Sequence, residues 1–553
     1  MARWHNGPAC LPSGPRLLPA HIWKTLTPLW GQLAAVLCAW AGLAVLQLLW
    51  LAADQRPLAW DQSHHFLLAL RYLEALRSPL TWPDIFSVAI KYPYLFHLSL
   101  AKLFLITGPS LRFAAAINLF WLLALMLALW HLGRRVFGGW AGVWAAGLCA
   151  AAPVTAGLGR QVLLETCLAA VIAWTVLALW ESRGLSRRGW VLALGVLAGL
   201  GLLAKWTYPL YVAAPWFIAW RQGRGEEAGR DGRGLWLALV ICLALALPWY
   251  LHSPVTLFKI LLGDAWAYGA AHGHPPVFSL DGLWFYPSLL ANDQLLLPLA
   301  LLTLAGVAWA VAARRRQAGL ILAWLGGGLL LITLMGNKDS RFLFPLLPAF
   351  LLCLGGWLQA LKPSWLRAGG VSLALLAAAL SLAGAGFGLG PLAQDREFKW
   401  GPLRLVLSAG RTEYLRPPDN SDWRLGDILG RAVGSRPGAG PVRLGVLASL
   451  PTYHKSAFQA VAEAAGVPLE VISVLEPGRW RPGQAAADFW EEVGKADFLA
   501  LKTGDLGSEP DYYLARDMLA AGDPGGRRRL EPAGQWVLPD GGAARLMRVV
   551  REK

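Results

Sequence analysis

Apolar stretches about as long as a bilayer is thick recur along this chain, which restricts it to folds whose helices lie mostly in lipid. The first runs from about Leu29 to Ala53 and is interrupted only by Gln32 and Gln47. At about 1.5 Å per helical residue it is long enough to cross a hydrocarbon core of roughly 30 Å. Further stretches fall near 92–108, 113–132, 137–153, 162–180, 189–204, 206–220, 235–251, 285–312, 318–335, 342–361 and 369–391, and with the first about eleven or twelve reach membrane length. With 56% of 553 residues hydrophobic and 15% charged, the composition agrees. The chain reads as a polytopic α-helical membrane protein. The first segment reads as a retained anchor, because a cleaved signal has a shorter apolar core.

The net charge of +16 raises nucleic acid as a partner, but the basic residues cluster in short loops between apolar segments. Arg134-Arg135, Arg187-Arg188, Arg314-Arg315-Arg316 and Lys362 with Arg367 read as topology signals facing the cytoplasm, with Arg3, Arg16 and Lys24 keeping the N-terminus there. No nucleic acid is expected. Outside then fall Asp61, Arg160 with Glu165, Lys205, the loop 253–284, the run Asn337-Lys338-Asp339-Ser340-Arg341 and everything after about 391. The segment 92–108 breaks this alternation, so either it is re-entrant or the Arg134-Arg135 pair faces outward.

The expected organisation is a cytoplasmic tail over 1–28, a membrane domain over 29–391 with a first outer loop at 54–91, and a small extracytoplasmic α/β domain over 392–553. In that last part Val442–Ser449 reads as a strand, 453–466 as a helix closed by Gly466, and Leu469–Leu475 as a second strand, a βαβ unit. Phe498–Leu501 and Ala544–Val550 read as further strands. No phosphate-binding glycine fingerprint accompanies them, which argues against a nucleotide. The six cysteines lie in the N-terminal tail or in apolar segments, so no disulfide framework is expected.

Asp61 stands eight residues beyond the first apolar segment, in Trp60-Asp61-Gln62-Ser63-His64-His65. Phe66, Leu70, Leu73 and Leu76 follow at helical spacing, so residues 62–77 read as an interfacial amphipathic helix. The structural reading of Asp61 is an N-cap satisfying first-turn amides. The functional reading is a base at the mouth of a membrane cavity.

Several separated patterns together resemble the membrane-embedded glycosyltransferases of the GT-C fold, in particular the dolichyl-phosphate-mannose protein mannosyltransferase and aminoarabinose transferase group. Trp60-Asp61-Gln62 is similar to that family's Asp-Glu motif, and Lys91-Tyr92-Pro93-Tyr94-Leu95 to its Pro-Pro-Leu-Tyr segment. Gly159-Arg160 with Glu165, Leu203-Ala204-Lys205, and Ser340-Arg341-Phe342-Leu343-Phe344-Pro345 with Pro348 are similar to later motifs. The resemblance covers about residues 25–390. Gln62 departs from the usual second acid, so a divalent metal held by adjacent carboxylates is doubtful, and no cofactor is certain.

The resemblance implies transfer of a sugar from a polyprenyl-phosphate carrier to an acceptor hydroxyl on a protein, lipid or glycan at the outer membrane face, with inversion. Asp61 would be the base. Lys205, Arg341, Lys338 and Arg160 would hold the donor phosphate, whose developing charge needs fixed cations in a site poor in water. Glu165, Lys91, Tyr92 and His64 would support them. The plain alternative for each cation is a side chain snorkelling to headgroups, and Glu165 equally suits neutralising a nearby arginine inside the bundle. A bacterial style of sequence makes undecaprenyl phosphate the carrier and the cell inner membrane the location. His272-Gly273-His274 and His64-His65, with Asp264 or Asp281, lack a recognised metal-ligand spacing. Trp82, Trp266 and Trp284 read mostly as interfacial residues. The competing classes are a transporter or flippase, whose charges would lie mid-span in duplicated halves, and a non-catalytic assembly partner.

Overall fold

The computed structural model describes residues 20–78, 82–89, 91–223, 232–252, 254–314, 316–400, 403–435, 440–475 and 486–551. Arg3, Arg16, Cys10 and Arg315 lie outside the described residues, as does 436–439 of the Gly/Pro-rich stretch. Six helices among the described residues are long and apolar enough to cross a membrane: Leu29–Ala53, Ala114–Phe137, Arg233–His252, Leu296–Arg314, Ser340–Ala360 and Ser364–Phe387. A seventh appears if Ala141–Ala151 and Pro153–Gly159, bent by 60°, count as one span.

The expectation of eleven or twelve spans rests on apolar length, which does not report where a helix breaks. Pro153 opens the second half of the bent pair, and Ala152 before it is extended, because proline disfavours a helical residue at the preceding position. Arg188–Ala204 and Gly319–Thr333 are apolar but shorter. The Leu95–Thr107 helix has 13 residues, so at about 1.5 Å per residue it covers roughly 20 Å, less than a hydrocarbon core. This short helix is the segment that disturbs the alternation of loops.

The bundle separates its charges by end. Arg135 and Arg187, from two basic loops, converge on Glu181 at 2.7 and 3.4 Å. At the other end of the Ile117–Phe137 helix, Asn118 donates to the carbonyls of Gly159 and Gln161, next to Arg160. Close helix crossings are made by glycines. A Cβ on Gly306 would lie 2.6 Å from the Leu354 Cα, so the Leu296–Arg314 and Leu347–Ala360 helices touch backbone to backbone. Gly306→Ala is therefore expected to cost about 1–3 kcal/mol through overpacking, read as a lower thermal midpoint in detergent.

The C-terminal part carries the hairpin β1 (Arg396–Trp400) and β2 (Leu403–Ser408), the short pair β4 (Ser449–Leu450) and β5 (Tyr453–His454), and a five-stranded sheet. That sheet contains β3 (Val442–Leu447), β6 (Leu469–Ile472), β7 (Phe498–Lys502), β8 (Arg528–Val537) and β9 (Ala543–Arg551) in the order β6-β3-β7-β9-β8. β3 pairs in parallel with β6 and β7, whereas β9 runs antiparallel to β7 and β8. The βαβ unit expected from the sequence is β3, the helix Lys455–Ala464 and β6. Gly466 follows that helix with φ of +63°, the left-handed conformation that glycine adopts freely. The cysteines at 38, 149, 167, 242 and 353 are free.

Two of the contacts that seat this C-terminal part on the membrane part lie near the Trp60–Arg77 helix and the end of the first span. The Lys455–Ala464 helix packs against Trp60–Arg77, and His454 Nε2 donates to the Leu58 carbonyl at 3.2 Å. A strap over 413–419 makes the second contact: Gln161 donates to Tyr414 O at 3.2 Å, Trp50 Nε1 to Arg416 O at 3.0 Å and Gln55 N to Asp419 O at 2.7 Å. Burial pushes the His454 imidazole down to about 4, against the hydrogen bond to Leu58. Folding therefore favours neutral His454, so its stabilisation is complete above its ordinary value of about 6.5 and declines as pH falls toward 4. Between pH 7.5 and 5 the loss should be about 2 kcal/mol in denaturant unfolding. His454→Gln should remove that share of the pH dependence, and an unchanged profile would refute it.

Candidate active site

The Trp60–Arg77 helix begins after Ala59, which has extended backbone and no side-chain cap. Asp61 thus lies in the first turn and is not the N-cap that the local sequence offers. The helix is not a freely lying interfacial element either: His65, Phe66, Leu68, Ala69, Leu70, Tyr72 and Leu73 are buried, and it packs between Leu95–Thr107 and Lys455–Ala464. Its N-terminus is pinned by Gln62, which donates to Gln161 Oε1 at 3.3 Å and accepts from Val162 N at 3.4 Å. The residue standing in the motif's second acidic position therefore ties the 159–165 loop to the Asp61 helix.

Arg341 lies at the start of the Ser340–Leu346 turn, where Asp339 caps the Arg341 backbone N–H at 2.8 Å. The same carboxylate accepts from Arg341 Nε at 3.0 Å and from Nη2 at 2.6 Å. This two-pronged pairing fixes the guanidinium plane. Nη1 is left to donate to Asp61 Oδ2 at 2.8 Å. Burial works to raise the Asp61 carboxyl, but Arg341 overrides it, with help from His65 and Lys205, and holds it at about 2. Asp339 is likewise held below the usual carboxylate range, because Arg341 outweighs its burial.

Lys205 follows the Arg188–Ala204 helix in extended conformation, and its Nζ donates to Glu165 Oε1 at 2.9 Å. Both residues are buried, and Lys205 also lies over the Phe342 ring at 5.3 Å. Glu165 opens its helix, and its Oε2 is buried without a hydrogen-bond donor among the described residues. Three carboxylates thus face two cations in two sets of direct ion pairs, Arg341 with Asp61 and Asp339 and Lys205 with Glu165, brought together where Lys205 lies over Phe342, the residue after Arg341.

Four of the residues singled out from the sequence, Asp61, Arg341, Lys205 and Glu165, therefore share one site. His64, Tyr92 and Lys91 lie beside it: the His64 and Tyr92 rings are 5.6 Å apart, and Lys91 Nζ is 5.6 Å from the Tyr92 centroid. Arg160 is engaged elsewhere, donating to Gly386 O at 3.0 Å between the Trp50 and Phe387 rings. Lys338 is buried, donates to Thr333 O and lies 5.8 Å from the Tyr286 ring. Sequence reasoning missed Asp339 as the partner of Arg341, although the Asp-x-Arg spacing was visible. It also missed Glu413 and Tyr414 on the strap, both of which reach Ser340 Oγ, Glu413 at 2.7 Å. Behind Ser340 a cleft of about 710 Å³ opens between 281–293 and 395–413, lined by Asp293 and Glu413 but by none of the four clustered residues. Among the described residues no three His, Cys, Asp or Glu side chains come together as a metal-ion group.

The chain aligns over 96% of its length, and over 98% of the other, with the crystal structure of ArnT from Cupriavidus metallidurans bound to undecaprenyl phosphate, with a TM-score of 0.56 at 16% identity. Its fold is the GT-C glycosyltransferase fold. The archaeal oligosaccharyltransferase AglB from Archaeoglobus fulgidus, in complex with an inhibitory peptide and a dolichol-phosphate, aligns over 93% of this chain and 74% of its own with a TM-score of 0.53 at 14% identity. A family model, dolichyl-phosphate-mannose-protein mannosyltransferase, matches residues 89–252. That window holds the GT-C chain's Lys91, Arg160, Glu165 and Lys205, whereas Asp61 and Arg341 lie outside it. Comparison with curated protein sequences finds no match. The apolar spans and this fold make the chain a multi-pass membrane protein.

Proposed function

We propose that the protein is an inverting glycosyltransferase that moves a sugar from a polyprenyl-phosphate carrier to an acceptor hydroxyl at the outer membrane face, with its sheet domain on that side. The observation that carries this reading is the Arg341 guanidinium shared between Asp61 and Asp339 beside the Lys205–Glu165 pair.

Asp339 occupies Nε and Nη2 of Arg341, so an arriving donor phosphate competes with Asp61 at Nη1. Donor binding then frees the base it requires. With three carboxylates against two cations in the resting site, displacing Asp61 frees the Nη1 donor and removes the excess negative charge that would repel the phosphate. The acceptor oxygen attacks the anomeric carbon from the face opposite the phosphate, and the bond from that carbon to the phosphate oxygen breaks. Its electron pair stays on the phosphate, where Arg341 and Lys205 oppose the added negative charge. The acceptor proton passes to Asp61, whose basicity rises once Arg341 has turned to the phosphate.

The test is transfer of labelled sugar by the purified protein from a panel of synthetic polyprenyl-phosphate sugars to membrane extracts. Transfer from at least one donor is expected. Uptake of a substrate by proteoliposomes, with no transfer from any donor, would replace this reading by transport.

A further inference from the structure

The histidine pair in the Asp61 motif has no part in the chemistry above. His65 lies one helical turn beyond Asp61 and is 2% exposed, and its Nδ1 meets His97 Nε2 at 2.9 Å. The other nitrogen of His97, Nδ1, lies 3.2 Å from the Pro93 carbonyl. A carbonyl only accepts, so His97 carries its proton on Nδ1, and its Nε2 is an acceptor. His65 must then donate from Nδ1. That leaves His65 Nε2 with a lone pair, and no hydrogen bond to Nε2 is formed among the described residues.

The ring is nearly enclosed, yet Nε2 is not among the fully buried side-chain atoms left without a hydrogen bond, so this acceptor opens onto accessible space. His65 stands four residues after Asp61 on one helix, and Asp61 pairs with Arg341, so its ring borders the charged site, while Tyr92 packs edge-on at 4.7 Å. Burial holds the ring neutral, so Nε2 remains an acceptor throughout the physiological pH range. The fixed tautomer makes His65 selective: it receives a hydrogen bond and offers none into the site.

We infer that His65 Nε2 is a specificity-determining acceptor for a hydroxyl or ammonium substituent on the donor sugar ring, with the His97–Pro93 relay setting its tautomer. The inference rests on the glycosyl-transfer reading. It places the sugar at His65 because that ring lies one helical turn from Asp61, whose carboxylate touches Arg341 at 2.8 Å, and the sugar must bridge the acceptor held at Asp61 and the phosphate held at Arg341.

The full chain in nanodiscs would be titrated by calorimetry with its preferred polyprenyl-phosphate sugar and with the set of analogues each lacking one ring substituent. For wild type, one analogue is expected to bind about 10–100-fold more weakly than the parent, the effect of removing one donor from a buried acceptor. In His65→Phe, and independently in His65→Leu, the parent should weaken by a similar factor while that analogue binds no worse than the parent. Equal binding of all analogues by wild type would overturn the assignment without touching the transferase reading. A loss that persists in both His65 variants would assign the contact to another residue and overturn it too. The same pattern seen only with acceptor analogues in transfer assays would also overturn it. Failure of every donor to bind wild type would instead bring down the glycosyl-transfer reading, and this assignment with it.

Discussion

Asp61→Asn is expected to lower sugar transfer by about 10²–10⁴-fold at unchanged expression and fold, the range associated with removing a positioned general base. Asn keeps the side chain's shape and can still accept from Arg341 Nη1 through its amide oxygen, so the site need not rearrange. What is lost is the charge that takes the proton. Donor affinity should hold or improve, since the carboxylate competing for Nη1 is gone, while the rate of the chemical step falls. The decisive measurement is single-turnover transfer together with donor binding on the same preparation. A variant that binds donor more weakly and, once saturated, transfers at the wild-type rate would remove Asp61 from the chemistry.

Arg341→Gln should be more damaging, because it strikes stability and catalysis together. Asp339 and Asp61 both lose their cation. Removing one partner of a buried ion pair typically costs about 3–5 kcal/mol, although Asp61, with 43% of its side chain exposed, contributes little of that. Most of the cost falls on Asp339, whose side chain is 19% exposed. Thermal unfolding in detergent should show the drop, and at a temperature where the variant remains folded, donor binding should still fail. The double variant Asp339→Asn/Arg341→Gln should recover much of the stability and none of the donor binding. Recovery of binding in the double variant would mean that the phosphate is held elsewhere. Arg341→Lys should rescue poorly, because an ammonium cannot hold Asp339 with two prongs while presenting a third donor to the phosphate.

The clustering of Asp61, Arg341, Lys205 and Glu165 was legible because each occupies a short pattern at the end of an apolar stretch. Their order along the chain carries that information. Lys338, assigned from the sequence to the donor phosphate, turns to the Thr333 carbonyl and the Tyr286 ring, since three residues of separation from Arg341 do not say which way a side chain turns at the start of a tight helical turn. Glu413 and Tyr414 were invisible, because their meeting with Ser340 depends on a strap more than 70 residues away in sequence. Strands β3, β6, β7 and β9 were readable from buried apolar runs. β1 was not, because every residue in it is exposed. β8 was missed as well, since Pro532 and Gly534 interrupt its pattern, and the register shifts there.

The strap has a consequence for modularity. Its residues hold the Trp50 indole, the Gln55 backbone and Ser340 at once, so the support for the turn that carries Arg341 is contributed by polypeptide that sequence alone assigns to the sheet domain. A chimera joined after the last membrane helix would exchange that support with the domain and set Arg341 on foreign contacts. A junction beyond Asp419 would exchange only the outer module. The unit of inheritance for activity is therefore not the membrane portion but the membrane portion with its strap.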